Sequence, residues 1–149
     1  MTDFDIRTSP FGDTITAEEV LDTVSFFDDW EERYQYIIDL GKSLVPMPES
    51  MHTEARIVRG CQSQVWLEIE HDAEQNCVYL AVDSDALIVR GLAAIVLAAL
   101  NCKSPAAIVD YDINAYFEQL DLLKHLSQTR GNGVRAMVER IRQAAAALA

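Results

Sequence analysis

Cysteine is scarce in this 149-residue chain, and the three present, Cys61, Cys77 and Cys102, make an odd number. With no basic start followed by an apolar run at the N-terminus, that set argues against a disulfide framework and for reduced thiols in a cytoplasmic protein. The cysteines are separated by 15 and 24 residues, with no CxxC pair, so the usual zinc spacing is missing too. Long apolar runs are also lacking. The longest, "GLAAIVLAAL" at Gly91–Leu100, is half of the roughly 20 residues that a membrane-spanning helix needs. Positive charge is sparse: 12 Lys and Arg stand against 24 Asp and Glu, a net charge of −12. Such a surface repels phosphate backbones and anionic lipid, which argues against nucleic acid and membrane partners and favours a protein with a basic patch. No phosphate-binding loop, dinucleotide glycine fingerprint or serine nucleophile elbow occurs. No cofactor of its own and no metal site are expected.

What is present suffices for one core, since half of the residues are hydrophobic. Residues 1–14, with Pro10, Gly12 and no periodicity, read as a flexible leader, and residues 15–149 as a single domain. Thr16 with Glu19 three residues on predicts a capped helix start. Asp28 or Asp29 opens a second helix, "WEERYQYIIDLGK", with Trp30, Tyr34, Ile37 and Ile38 on one face and Gly41 as its stop. Pro46 and Pro48 then impose a loop. "ARIVRG" reads as a short strand. "QVWLEIEHD" and "CVYLAVD" alternate, placing Val65, Leu67, Ile69, Val78, Leu80 and Val82 on the buried face of an antiparallel meander. "SDALIVRGLAAIVLAAL" is apolar nearly all round and reads as a central helix whose Gly91 and alanines approach the sheet. Ser84 or Asp85 would cap it. Pro105 starts a short helix and "NAYFEQLDLLKHL" is amphipathic. "SQTRGNG" breaks the chain before a last helix from Val134. Strands in one block flanked by helices give an α+β domain.

Cys61 is the residue with chemical promise. Gly60 precedes it and the polar Gln62, Ser63 and Gln64 follow, which presents a thiol at a bend rather than inside an apolar run. To react at neutral pH it needs a cation, a helix N-terminus or a base nearby, because the thiolate is the nucleophile. Arg56 and Arg59 lie within sequence reach, and Arg130 could arrive from a distance. Three chemistries stay open on the residues alone. Cys61 could exchange sulfur, it could join Cys77 or Cys102 in an iron–sulfur or metal scaffold, or it could pair with His52 or His125 as an independent thiol enzyme.

"GCQSQVW" at Gly60–Trp66 resembles the active-site signature of SufE-type sulfur acceptor proteins, the CsdE branch included. "WEERYQYIIDLGKSL", "DSDALIVRGLAAIVL" and "HLSQTRGNGVRAM" resemble further stretches of that family, in the family's order, from Phe26 to Ala146. The resemblance implies a small curved antiparallel sheet of about three strands packed against helices, as in IscU-type scaffolds. It implies that Cys61 takes persulfide sulfur from a cysteine desulfurase of the SufS or CsdA type, stimulates that enzyme, and relays the sulfur to a cluster scaffold or another sulfur-using pathway. The pyridoxal phosphate of that reaction belongs to the desulfurase. On the matching positions, Arg130 is implied as a thiolate stabiliser and Asp85 as a residue linked to movement of the cysteine loop. Arg59, Gly60, Gln62 and Gln64 would contact the partner, with Met47–His52 as a rim. A monomer is expected. Cys77 and Cys102 lie outside the signature and inherit no role.

Overall fold

The computed structural model describes residues 4–61 and 63–149. Local sequence sets the helix starts. The Thr16 hydroxyl accepts from the Glu19 amide at 3.2 Å and opens α1 (Ala17–Ser25). Asp29, not Asp28, caps α2 (Trp30–Gly41) by accepting from the Glu32 amide at 2.8 Å. Each such bond satisfies one of the free amides at a helix N-terminus.

The sheet has two strands, β1 (Val65–Asp72) and β2 (Cys77–Ser84), antiparallel from Val65 opposite Ser84 to Asp72 opposite Cys77. The expected third strand is reduced to a single bridge between Ile57 and Trp66. The reason is local. Glu54–Arg56 closes as a 3-10 turn and Gly60, at φ +90°, turns the chain away, leaving only Ile57 and Val58 extended between them.

One face of the hairpin buries Val65, Leu67, Val78, Leu80 and Val82 in the main core, as the alternation predicts. The other face is covered as well. Ile6, Met47, Trp66 and Ala81 form a second buried cluster, with Phe4 and Met51 packed on it. Part of that cover is the segment read as a flexible leader. Within it Phe11 is fully buried, and its carbonyl accepts from the Asn101 side chain at 2.9 Å. The same Asn101 side chain accepts from the Leu80 amide at 2.7 Å, so one buried amide ties the leader to β2. The leader lacks periodicity because it is held by single anchors, not by a repeating face.

α3 (Leu87–Leu100) is the central helix, buried along nearly its whole length. Its Gly91 meets α2 rather than the sheet. A Cβ on Gly91 would lie 2.3 Å from the Ile37 carbonyl oxygen, and one on Gly41 would lie 2.7 Å from the Gly91 amide nitrogen. Gly41 is the last residue of α2, the stop its position suggests, with Lys42 as the cap, and it is also a crossing contact with α3.

α4 (Pro105–Asp110) starts with Pro105 at its first position, after the Ser104 cap. α5 (Ile113–Leu120) stops earlier than its amphipathic pattern suggests, because Asp121 adopts a left-handed conformation at φ +57°. α6 (Gln128–Leu148) runs unbroken through "RGNG", contrary to the expected break. Two glycines cost a helix about 1 kcal/mol each relative to alanine. The Ser127 cap, which accepts from the Arg130 amide, and a buried stripe of Val134, Met137, Val138, Ile141 and Ala145 offset that cost.

Candidate functional site

The neck of the cysteine loop is closed by the Val58 amide donating to the Val65 carbonyl at 2.9 Å. Gly60 makes the turn at φ +90°, a conformation that side chains resist, and a Cβ there would also press to 3.2 Å from the Cβ of Ala136. Cys61 follows, half-buried, with its thiol donating to the Gly133 carbonyl at 3.5 Å.

Beside the sulfur lies a cavity of about 80 Å³. Val89, Leu92, Val134 and Met137 give it apolar walls, and Ser63, Thr129 and Arg130 supply polar lining. Burial pushes the Cys61 thiol above the ordinary thiol range. In this state the sulfur is a protected thiol rather than an exposed nucleophile.

The cations named from sequence are otherwise engaged. Arg56 pairs with Glu68 at 3.3 Å and Arg59 with Glu54 at 2.7 Å. Arg130 lines the cavity, in the first turn of α6 and not in a loop, and its guanidinium donates to the Tyr34 hydroxyl at 2.9 Å. Tyr34 is legible in the sequence only as a core-facing helix residue.

The outgoing end of the loop is held by the β2–α3 junction. The Gln64 amide donates to the Asp85 carboxylate at 3.2 Å, and the Gln64 carbonyl accepts from the Ser84 hydroxyl at 2.7 Å. Asp85 therefore does not cap α3, as its position suggests it would. Ser84 accepts from the Ala86 amide at 3.2 Å, and the helix has no side-chain cap of its own. Gln64 and Arg59 are exposed; Gln62 lies outside the described residues.

The histidines sit apart from the thiol. His52 stacks on Trp66 at 3.9 Å and bonds to Asp83 at 2.7 Å, and Arg90 takes the other oxygen of Asp83 at 2.9 Å. His125 stacks on Trp30 and bonds to Asp121. Neither forms the Cys–His pair that an independent thiol enzyme would need.

Cys77 and Cys102 are at the far end of the hairpin. Cys77 opens β2 opposite Asp72, and the Cys102 amide donates to Val78, while the Cys61 loop joins the hairpin at Val65. Seven residues of strand rise, about 23 Å, lie between those ends. The scaffold reading needs Cys61 to meet one of them, and the fold keeps them apart. Among the described residues no three His, Cys, Asp or Glu side chains gather to hold a metal.

Comparison with known proteins supplies the context for this site. The family model "SufE: Fe-S metabolism associated domain" matches residues 18–145. An uncharacterized SufE-like protein of Rhizobium meliloti (strain 1021) is 44% identical over 133 residues, covering 87% of this chain and 94% of that protein. A second, from Rhizobium etli, is 44% identical over 133 residues, covering 87% of this chain and 89% of its own length. The solution structure of a hypothetical protein from Thermus thermophilus matches with a TM-score of 0.71 over 88% of this chain and 93% of that one. Its 18% identity makes it a likeness of fold alone. The glycine-led thiol on a hairpin neck, beside a cavity of mixed polar and apolar lining, sits in an α+β chain that belongs to the SufE family, associated with iron–sulfur metabolism.

Proposed function

We propose that Cys61 accepts persulfide sulfur from a cysteine desulfurase and relays it to iron–sulfur cluster assembly or another sulfur-using pathway. The observation that carries this reading is the pairing of a half-buried Cys61 with its own cavity. A persulfide exposed to cellular reductants is lost. A space of about 80 Å³ is well above the roughly 10–15 Å³ that holds one water, so it can house one further sulfur.

The chemistry is thiol exchange. The Cys61 thiolate attacks the outer sulfur of the donor persulfide, a new S–S bond forms on Cys61, and the donor cysteine leaves as a thiolate. Pyridoxal phosphate acts in the desulfurase, upstream of this step. Burial opposes the Cys61 thiolate at rest, so the loop has to carry the thiol outward on docking. There Arg130, released from Tyr34, stabilises the thiolate. Asp85 governs the loop through its bond to Gln64.

The docking face is the surface around Arg59, Gly60, Gln62 and Gln64. Leu87, 61% exposed two residues after Asp85, adds an apolar contact. The acidic chain steers a desulfurase with a basic patch, so association weakens with added salt. The setting is the cytoplasm, and no helix among the described residues is long and apolar enough to cross a membrane. The chain acts as a monomer.

The test is steady-state release of alanine and sulfur by a desulfurase from the same cell, with and without this protein. Stimulation by wild type and none by Cys61→Ser supports the proposal. Equal stimulation by both, or none by either with every desulfurase of that cell, overturns it.

A further inference from the structure

One face of α6 underlies the cysteine loop in reverse order. Gly133 meets Cys61, Ala136 meets Gly60, and Arg140 meets the incoming end. The spacing of 3 and 7 residues keeps all three on one helix face. The Arg140 guanidinium donates to the Ile57 carbonyl at 3.2 Å and, through its other terminal nitrogen, to the Ala55 carbonyl at 3.2 Å. Arg140 is half-buried, and among the described residues it makes no ion pair with a carboxylate. Its charge is directed at backbone alone.

We infer that Arg140 is a positioning residue for Cys61: it pins the incoming end of the loop to α6 and confines the thiol's outward movement to the segment between Val58 and Gln64. The inference rests on the proposed role of Cys61 as the reacting thiol. The two ends of the loop are held by different elements. Ser84 and Asp85 hold the outgoing end at Gln64. At the incoming end a full third strand is missing; the Ile57–Trp66 bridge with its Val58–Val65 hydrogen bond and the Arg56–Glu68 ion pair tie it to β1, and Arg140 supplies the attachment to α6. The planar fork of arginine reaches both carbonyls at once; a lysine ammonium at this position is a single point donor. Local opening of the loop sets how often a half-buried thiol meets reagent, so loss of the pin raises reactivity at Cys61 specifically.

The experiment is native-state alkylation of the reduced full-length protein with iodoacetamide, followed at each cysteine by peptide mass spectrometry. Wild type, Arg140→Ala and Arg140→Lys are compared. The expected result is a Cys61 rate at least fivefold higher in Arg140→Ala, an intermediate rate in Arg140→Lys, and unchanged rates at Cys77 and Cys102. The pH profile at Cys61 should also move down toward that of an ordinary thiol. An unchanged Cys61 rate overturns the inference. So does a parallel rise at all three cysteines, which would mark general loosening. Should Arg140→Ala not fold, the Arg140→Lys comparison decides alone. No desulfurase enters the measurement, so it reads out even if Cys61 takes no sulfur.

Discussion

The thiol of Cys61 lies 3.5 Å from the carbonyl of Gly133, on a helix face where residue 133 offers no side chain. A Cβ at that position would sit 3.5 Å from the sulfur, an ordinary contact. Gly133→Ala should therefore fold, and it should gain up to about 1 kcal/mol from helix propensity. The added methyl also narrows the cavity at the sulfur. A higher Tm together with a shorter-lived Cys61 persulfide under mild reductant is expected. A lower Tm, or a longer-lived persulfide, would contradict this role for the glycine.

Burial of Cys61 has a pH signature. Its thiol is pushed up by desolvation, so native alkylation should climb only above the usual cysteine value of about 8.5. A raised folded-state value means stability that is present below the unfolded value and lost as pH rises through the folded one. Wild type should lose stability relative to Cys61→Ser above about pH 8.5. Parallel stability curves up to about pH 10, well past that ordinary value, would show that the thiol is not desolvated.

Asp85 accepts from the Gln64 amide through one oxygen of its carboxylate. Asp85→Asn retains an acceptor and should leave Cys61 alkylation near the wild-type rate. Asp85→Ala leaves the amide to water, costing about 1 kcal/mol or less at this exposed site, and should speed Cys61 alkylation several-fold. Identical rates in both variants would remove Asp85 from the control of the loop.

The α2–α3 crossing tests the core. Gly91→Ala forces a Cβ against the Ile37 carbonyl, and overpacking of this kind costs about 1–3 kcal/mol or more. Chemical denaturation should report that loss, with the helices forced apart. A change below about 0.5 kcal/mol would mean that the crossing is looser than its geometry implies.

Much of this layout is readable from sequence because the signals are local. Thr16 and the Asp28–Asp29 pair announce their helices because a cap bond spans only three residues, with Asp29 the one of the pair that makes it. The alternation of Val78, Leu80 and Val82 marks the face of β2 that enters the main core, though not the covering of its other face. What escapes reading depends on contacts between distant segments. Gly41 does end α2, but its packing against Gly91, and the contact of Gly91 with α2 rather than the sheet, show only once α2 and α3 cross. The "RGNG" run looks like a break because propensity cannot see the stripe of apolar residues that holds α6 together. Phe11 belongs to no periodic pattern, yet it is anchored by Asn101, 90 residues away.

The site follows the same rule. Cys61 and Gly60 stand out through their immediate neighbours. Arg130 is placed by resemblance, but its helix and its bond to Tyr34 are not visible in the sequence. Arg140 gives a faint signal, a charge seven residues from Gly133 on the same face of an otherwise apolar helix stripe.

The proposed relay comes down to one sulfur atom on Cys61. Intact-protein mass spectrometry after incubation with a cysteine desulfurase, its pyridoxal phosphate and free cysteine reads that atom. Added sulfur, removable by reductant, is expected on wild type and none on Cys61→Ser. Sulfur that persists on Cys61→Ser, or its absence from wild type with every desulfurase of the same cell, would contradict it.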